Sequence, residues 1–331
     1  MLGLYNFIEV ASAKSTFMPV AGSAVAAQVN DLYGFLLVAS AISCLLVIGG
    51  LIFFAVKYRR KGEDDKTPYI SHNSTLEFLW SFIPFVIFMI VFAWGWYIYH
   101  QMRTFPEDSL EVHVFGQKWA WEFQYKSGKK SGGTTFETNS DSKEGLWVPV
   151  NTPVKLIMTS RDVLHSFYIP GLRIKQDVVP GRYTAMGFNA EKKGVYQVFC
   201  TEYCGNEHSN MMAKVHVVSQ EEFEEWLKEN DDALSLPELG MKVFDRNCVA
   251  CHNATNVRKL GPGLGGLYGS TREFESGPSM VADENYIRES ILYPQKKIVK
   301  SYGSGIKMVP YQGVLSEREL AGVIEYLKSL K

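Results

Sequence analysis

The sequence predicts a multi-domain membrane protein: an N-terminal transmembrane helical hairpin, an all-β Greek-key barrel and a C-terminal all-α domain. Three observations carry this. Two long uncharged runs open the chain, a series of short strands with turn signals follows, and helical stretches bracket the last third. At 331 residues there is room for two or three separate cores. A formal net charge of −1 argues against a nucleic-acid binder, which would need a basic face.

The hairpin occupies residues 1–104. Residues 32–56 carry no charge and make about 37 Å of helix at ~1.5 Å per residue, enough to cross a ~30 Å hydrocarbon core. Residues 78–99 form a second such span. Lys57, Arg59, Arg60, Lys61 and Lys66 crowd the loop between them, whereas the first thirty residues hold only Lys14 as a basic residue. Basic residues stay cytoplasmic, so the loop is expected inside, with both termini and everything beyond Tyr99 outside. Trp94, Trp96, Tyr97 and Tyr99 suit an interfacial belt on the outer face. The first thirty residues lack a basic n-region and are not read as a secretory signal. Cys44, within the first span, is expected to be a buried apolar thiol without chemistry.

Residues 105–218 show β-rich runs at 110–115, 119–125, 154–159, 183–188, 195–200 and 213–218, with turn residues between them. Between the last two lies Cys200-Thr-Glu-Tyr-Cys204-Gly-Asn-Glu-His208-Ser-Asn-Met211. Two thiols, an imidazole and a thioether select a soft metal, and the thioether tips the choice toward copper. No second Cys or His pair follows at zinc-finger spacing. A further imidazole is needed, and His165, expected in a loop just past a strand, is the best candidate. His113 and His216 fall within alternating runs and read as ordinary strand histidines.

Residues 219–237 read as a helix and linker. Ser219-Gln-Glu-Glu222 is a capping box opening a helix over 221–229, and 230–237 connects onward. In residues 238–331 a helical stretch at 238–245 runs into Cys248-Val-Ala-Cys251-His252. That spacing fastens a c-type haem through both thiols and makes His252 an axial iron ligand. Two disulfides are the bland alternative for these four cysteines, but each pair is flanked by the other ligands that a metal or haem needs. Met308, ahead of the closing helix capped by Ser316-Glu-Arg-Glu319, is the expected second axial ligand, with Met280 as its substitute. Gly261-Pro-Gly-Leu-Gly-Gly266 satisfies a dinucleotide pattern, but no strand precedes it and no nucleotide is assigned.

The hairpin, the barrel, His165 and the run 200–211 resemble subunit II of haem–copper cytochrome c oxidases, and 238–331 is similar to class I cytochromes c. The resemblance implies a cupredoxin fold carrying a dinuclear mixed-valence copper centre, CuA, and one covalently attached haem c. Cys200 and Cys204 would bridge both copper ions, and His165 and His208 would each bind one. Met211 would supply a weak thioether, and Glu202 its backbone carbonyl. In Gln117-Lys-Trp-Ala-Trp-Glu, Trp119 matches the family's point of electron uptake, although Ala120 stands where an aromatic residue is usual; packing is the alternative for Trp119. The family usually has Met-Pro at the distal ligand, whereas Val309 intervenes here.

Asp177-Val-Val-Pro-Gly-Arg182 resembles the loop reaching the catalytic subunit I, with Asp177 and Glu202 near the magnesium site of that subunit. Glu77 matches a carboxylate at a proton-channel mouth; a helix-dipole role is the alternative. The implied function is electron transfer within a proton-translocating oxidase of the bacterial cytoplasmic membrane, with both cofactor domains periplasmic. Electrons would come from a cytochrome c or a quinol-oxidising complex. They would pass from haem to copper and on to subunit I, which reduces oxygen to water; subunit III would be a further partner. This chain lacks an oxygen-reducing site of its own. A nitric-oxide-reducing relative and a membrane-anchored copper carrier are the competing readings.

Overall fold

A computed structural model describes residues 18–66, 69, 71–133, 144–229, 234–303 and 307–330. Two helices open it, α1 (Ala24–Lys57) and α2 (Ser74–Arg103). Both outrun the apolar spans read from sequence, because the Ser23 and Asn73 side chains cap the helix starts before the uncharged runs begin. Most apolar side chains along both helices face outward, Leu45, Leu46 and Phe88 among them, as lipid contact requires. Cys44 is likewise exposed rather than buried, since the hairpin's outer surface meets lipid and not protein. Lys14 lies outside the described residues.

The outer ends of the hairpin are tied to the β domain. Arg103 donates to Gln176 at 2.7 Å, Arg173 donates to Asn30 at 3.0 Å, and the Gly22 amide donates to the Gly171 carbonyl at 2.9 Å. Gln28 and Gln101 exchange side-chain hydrogen bonds between the two helices.

The β domain is built from β1 (Leu110–Gln117), β2 (Ala120–Tyr125), β3 (Lys130–Gly133), β4 (Leu146–Pro149) and β5 (Pro153–Ser160). It continues with β6 (His165–Ile169), β7 (Ile174–Val178), β8 (Thr184–Asn189), β9 (Gly194–Cys200) and β10 (Met212–Val218). These strands form two five-stranded sheets, β3-β2-β1-β5-β8 and β4-β10-β9-β6-β7. Their inner faces enclose one core, in which Trp121 and Phe123 meet Phe167 edge-on. Strands β3, β4, β6 and β7 are absent from the sequence reading. Three of them are sheet edges carrying Gly-Gly, Pro or charge, the residues that keep an edge from pairing onward and that mimic turns. His165 therefore opens a strand instead of lying in a loop, and Trp119 sits in the β1–β2 turn.

Helix α3 (Gln220–Lys228) starts at the expected capping box and lays Phe223 and Trp226 on the sandwich. Trp226 stacks on Trp147 at 5.3 Å and meets Tyr125 edge-on at 5.0 Å. His216 stacks on the other partner, Trp147, at 4.6 Å, and burial holds its pKa down to about 4, so it is a neutral packing group. Trp226→Ala removes a buried indole and should cost about 3–5 kcal/mol of β-domain stability, measured by denaturant unfolding.

The C-terminal domain contains α4 (Leu236–Asn247), α5 (Glu284–Leu292) and α6 (Glu317–Ser329) around a second core. Helix α4 begins inside the expected linker because Ser235 and Glu238 form a capping box; residues 230–233 lie outside the described residues. Helices α4 and α6 touch backbone to backbone at two glycines. A Cβ on Gly240 would come within 2.0 Å of the Gly322 carbonyl oxygen, so neither position accepts a larger residue cheaply.

Candidate metal and haem sites

Strand β9 ends on Cys200 and β10 begins at Met212, so the connecting loop emerges at one end of the sandwich. The Cys200 amide donates to the Met211 carbonyl at 3.1 Å, which closes the loop and turns its donors inward. The Cys200 and Cys204 sulfurs are 3.8 Å apart. His208 Nδ1 lies 3.4 Å and Met211 Sδ 3.7 Å from Cys204 Sγ, while the Glu202 carbonyl lies 3.3 Å from Cys200 Sγ. From the neighbouring strand β6, His165 brings Nδ1 to 3.9 Å from Cys200 Sγ. His165, Cys200 and Cys204 are buried, and so is Met211. Cys200 and Cys204 are free thiols, not a disulfide.

This donor set fits a soft metal: two sulfurs, two imidazole nitrogens, a thioether and a carbonyl converge within a few ångströms of one another. The thiols are strongly coupled. Donation from Cys204 holds the Cys200 thiol well below the usual thiol range, and the same contact pushes Cys204 up, so the two titrate as one pair.

Asp162, which sequence reasoning missed, orients His165. Its Oδ1 meets His165 Nε2 at 2.8 Å, which leaves Nδ1 for the sulfur side, and its Oδ2 accepts from the Lys118 amide at 2.7 Å. Its position three residues before the histidine was the available signal, since a short acidic side chain there closes a local turn onto the Val163 amide.

Trp119 is 1% exposed, and its Nε1 has no hydrogen-bond partner among the described residues. The indole lies over the metal loop: a Cβ on Gly205, at φ +125°, would come within 3.0 Å of its Cζ2. Asp177, on β7, accepts from Ser166 at 2.7 Å and from Lys175 at 3.1 Å, and is paired in register with Ser166 beside His165. The Ser166 bond, with Lys175, holds its carboxyl below the usual range. The Glu202 side chain is exposed while its carbonyl faces the thiols. Glu77 lies apart from all of these, in the first turn of α2, where it accepts from the Asn73 amide at 3.3 Å.

The second site is an apolar cavity in the helical domain. Cys248 caps α4, and Cys248, Cys251, His252 and Met308 all line the cavity with Leu264 and Tyr286. His252 Nδ1 donates to the Pro262 carbonyl at 2.8 Å, which fixes the tautomer and leaves Nε2 as the free lone pair. Burial also lowers the pKa of His252, keeping the imidazole neutral. Gly261 is the cradle for this ring, since a Cβ there would come within 2.5 Å of Cε1. Met280, in the short strand Met280–Val281 paired with Thr271–Arg272, is not among the described residues lining the cavity. Burial pushes the thiols of Cys248 and Cys251 up to about 12 and about 11. Two thiols, a neutral imidazole and a thioether around an apolar cavity fit a thioether-linked haem.

A membrane hairpin bearing a soft-metal sandwich and a haem-type helical domain defines a membrane-anchored electron-transfer subunit. Residues 110–218 match the family of the cytochrome c oxidase subunit II periplasmic domain, 11–97 its transmembrane domain, and 237–331 the cytochrome c family. The chain belongs to the cytochrome c oxidase subunit II family and carries a C-terminal cytochrome c domain. It is 33% identical over 242 residues to cytochrome c oxidase subunit 2 of Cereibacter sphaeroides, covering 64% of this chain and 79% of that one. It is 31% identical over 225 residues to the probable subunit 2 of Rickettsia bellii, covering 64% and 82%. The Alkalihalophilus pseudofirmus subunit 2 is 27% identical over 312 residues, covering 89% of this chain and 85% of that one. The crystal structure of the periplasmic domain of subunit II of the Bradyrhizobium japonicum oxidase aligns at 28% identity with a TM-score of 0.37, covering 40% of this chain and all of that one. The protein is thus a subunit of a haem–copper cytochrome c oxidase, an oxidoreductase complex, anchored in the membrane and carrying periplasmic domains.

Proposed function

We propose that this chain receives electrons at a haem covalently held by Cys248 and Cys251, passes them to a dinuclear copper centre, and delivers them to subunit I. His252 and Met308 would hold the iron. Cys200 and Cys204 would bridge two copper ions, with His165, His208, Met211 and the Glu202 carbonyl completing the set. The bound groups supply reversible one-electron chemistry, and the chain's residues fix the distance and exclude water. The hairpin, residues 1–104, would cross the bacterial inner membrane twice, leaving both termini and the domains at 105–218 and 238–331 outside; 219–237 would join the domains. Subunit III and a cytochrome c or quinol-oxidising donor would be further partners. Asp177 would face subunit I near its magnesium ion, and Glu77 would stand at a proton-channel mouth.

The observation that supports transfer between the two sites is how they abut. Lys118 lines the haem cavity, and the next residue, Trp119, covers the metal loop at Gly205. Cys251 and Leu260 of the haem domain pack against the sandwich core. Trp119→Leu should therefore slow haem-to-copper transfer by about tenfold or more while leaving the copper spectrum in place. Flash-induced transfer in wild type and variant checks this; an unchanged rate with the fold intact would make Trp119 a packing residue.

A further inference from the structure

Five charged side chains cluster where the two outer domains meet, Glu122 and Arg246 buried and Arg161, Glu319 and Lys130 half-buried. Glu122 of β2 is 3% exposed and Arg246 of α4 is 5% exposed. Arg246 donates to Glu319 of α6 at 2.6 Å and turns Nε toward Glu122 Oε2 at 4.0 Å. Arg161 of the β domain pairs with Glu122 at 2.7 Å, and Lys130 of β3 crosses to Glu319 at 3.0 Å. A polar seam continues the contact. Gln117 donates to Asn247 at 3.2 Å and to the Tyr311 hydroxyl at 3.4 Å, and Tyr311 in turn donates to the Asn247 carbonyl at 2.7 Å. Backbones approach here too: a Cβ on Gly133 would lie 3.3 Å from the Arg246 Cα.

Withdrawing alternating charges from water stabilises little, because desolvation offsets the attraction. What such a junction does is penalise every other arrangement, since any slip leaves a buried charge unpaired. Its placement gives that selectivity a purpose. Arg246 and Asn247 directly precede Cys248, and Gln117 directly precedes Lys118 and Trp119. The contact thus grips both domains within two residues of the haem attachment and of the indole over the metal loop.

We infer that the junction of Glu122, Arg161, Arg246, Glu319 and Lys130 holds the cytochrome domain in one fixed register over Trp119, so that copper takes electrons only from the tethered haem. Arg246 is its central positioning residue. The covered Trp119 offers no surface to a diffusing donor, which is left the haem domain as its docking partner. Tethering supplies high effective concentration, and the junction converts it into a single geometry. This rests on the haem-to-copper transfer proposed above.

The test uses the complete oxidase and Arg246→Gln, which removes the approach to Glu122 across the junction and the α4–α6 pair with Glu319, while Glu122 keeps Arg161 within the β domain and Glu319 keeps Lys130 across the junction. Glu122→Gln is the second variant. In wild type the backbone amides of residues 118–120 should be protected from hydrogen exchange, and flash-induced transfer should be independent of added glycerol viscosity. In either variant those amides should exchange about tenfold faster. Transfer should slow by roughly tenfold or more and become viscosity-dependent, with both optical spectra unchanged. Wild-type exchange and rates in both variants would overturn the junction's role, as would viscosity-dependent transfer in wild type. Absence of any haem-to-copper transfer in wild type would instead overturn the proposed function, and the exchange measurement would still decide whether the junction fixes the register.

Discussion

Replacing Cys200 with serine should remove the copper pair, and oxidase turnover with it, while haem content stays at the wild-type level. Cys200 Sγ is the donor that faces His165, Cys204 and the Glu202 carbonyl at once, at 3.9, 3.8 and 3.3 Å. A serine hydroxyl is a hard donor that stays protonated at neutral pH, so it cannot replace a bridging thiolate for a soft metal. Cys204 alone would retain His208 and Met211, a set suited to one ion at most. The haem cavity has its own core around Leu239, Phe244, Ile287 and Val323, which the substitution does not touch. Copper and haem per chain, with electron paramagnetic resonance, measure the effect. A variant keeping the two-copper mixed-valence signature would show that Cys200 is not a bridge.

Met308→Ala should leave the haem covalently attached but open one iron position, converting a low-spin spectrum toward high spin and lowering the potential. Attachment depends on Cys248 and Cys251, and the proximal ring is held independently by the Pro262 carbonyl and the Gly261 cradle. Loss of a thioether removes the ligand that raises the potential of a His/Met haem. The check is the long-wavelength thioether–iron band together with a redox titration. Persistence of the band in the variant would move the assignment to Met280, which the cavity wall does not favour.

The two ligand runs were legible in the sequence because each is compact: 200–211 and 248–252 place their donors within a single loop or turn. The hairpin was legible for a similar reason, since uncharged length is a local property. Asp162 was not, because its value lies in two bonds made to different segments, to His165 and to the Lys118 amide. The edge strands were hidden by the glycine, proline and charge that make them edges. Strand β6 was hidden because His165 follows a polar turn, and only its pairing with β7 and β9 reveals an extended start. The buried junction was the least legible feature. Arg246 and Glu319 are 73 positions apart, and read alone Arg246 is an ordinary charge on a helix and Glu319 a capping-box residue.

The most direct measurement takes the full-length chain purified in detergent and records its metal content, optical spectrum and electron paramagnetic resonance. Two copper ions sharing one unpaired electron, with one low-spin haem that resists acid–acetone extraction, are the expected result. A single mononuclear copper signal, or haem that extracts freely, would contradict the assignment of this chain as a haem-to-copper electron carrier.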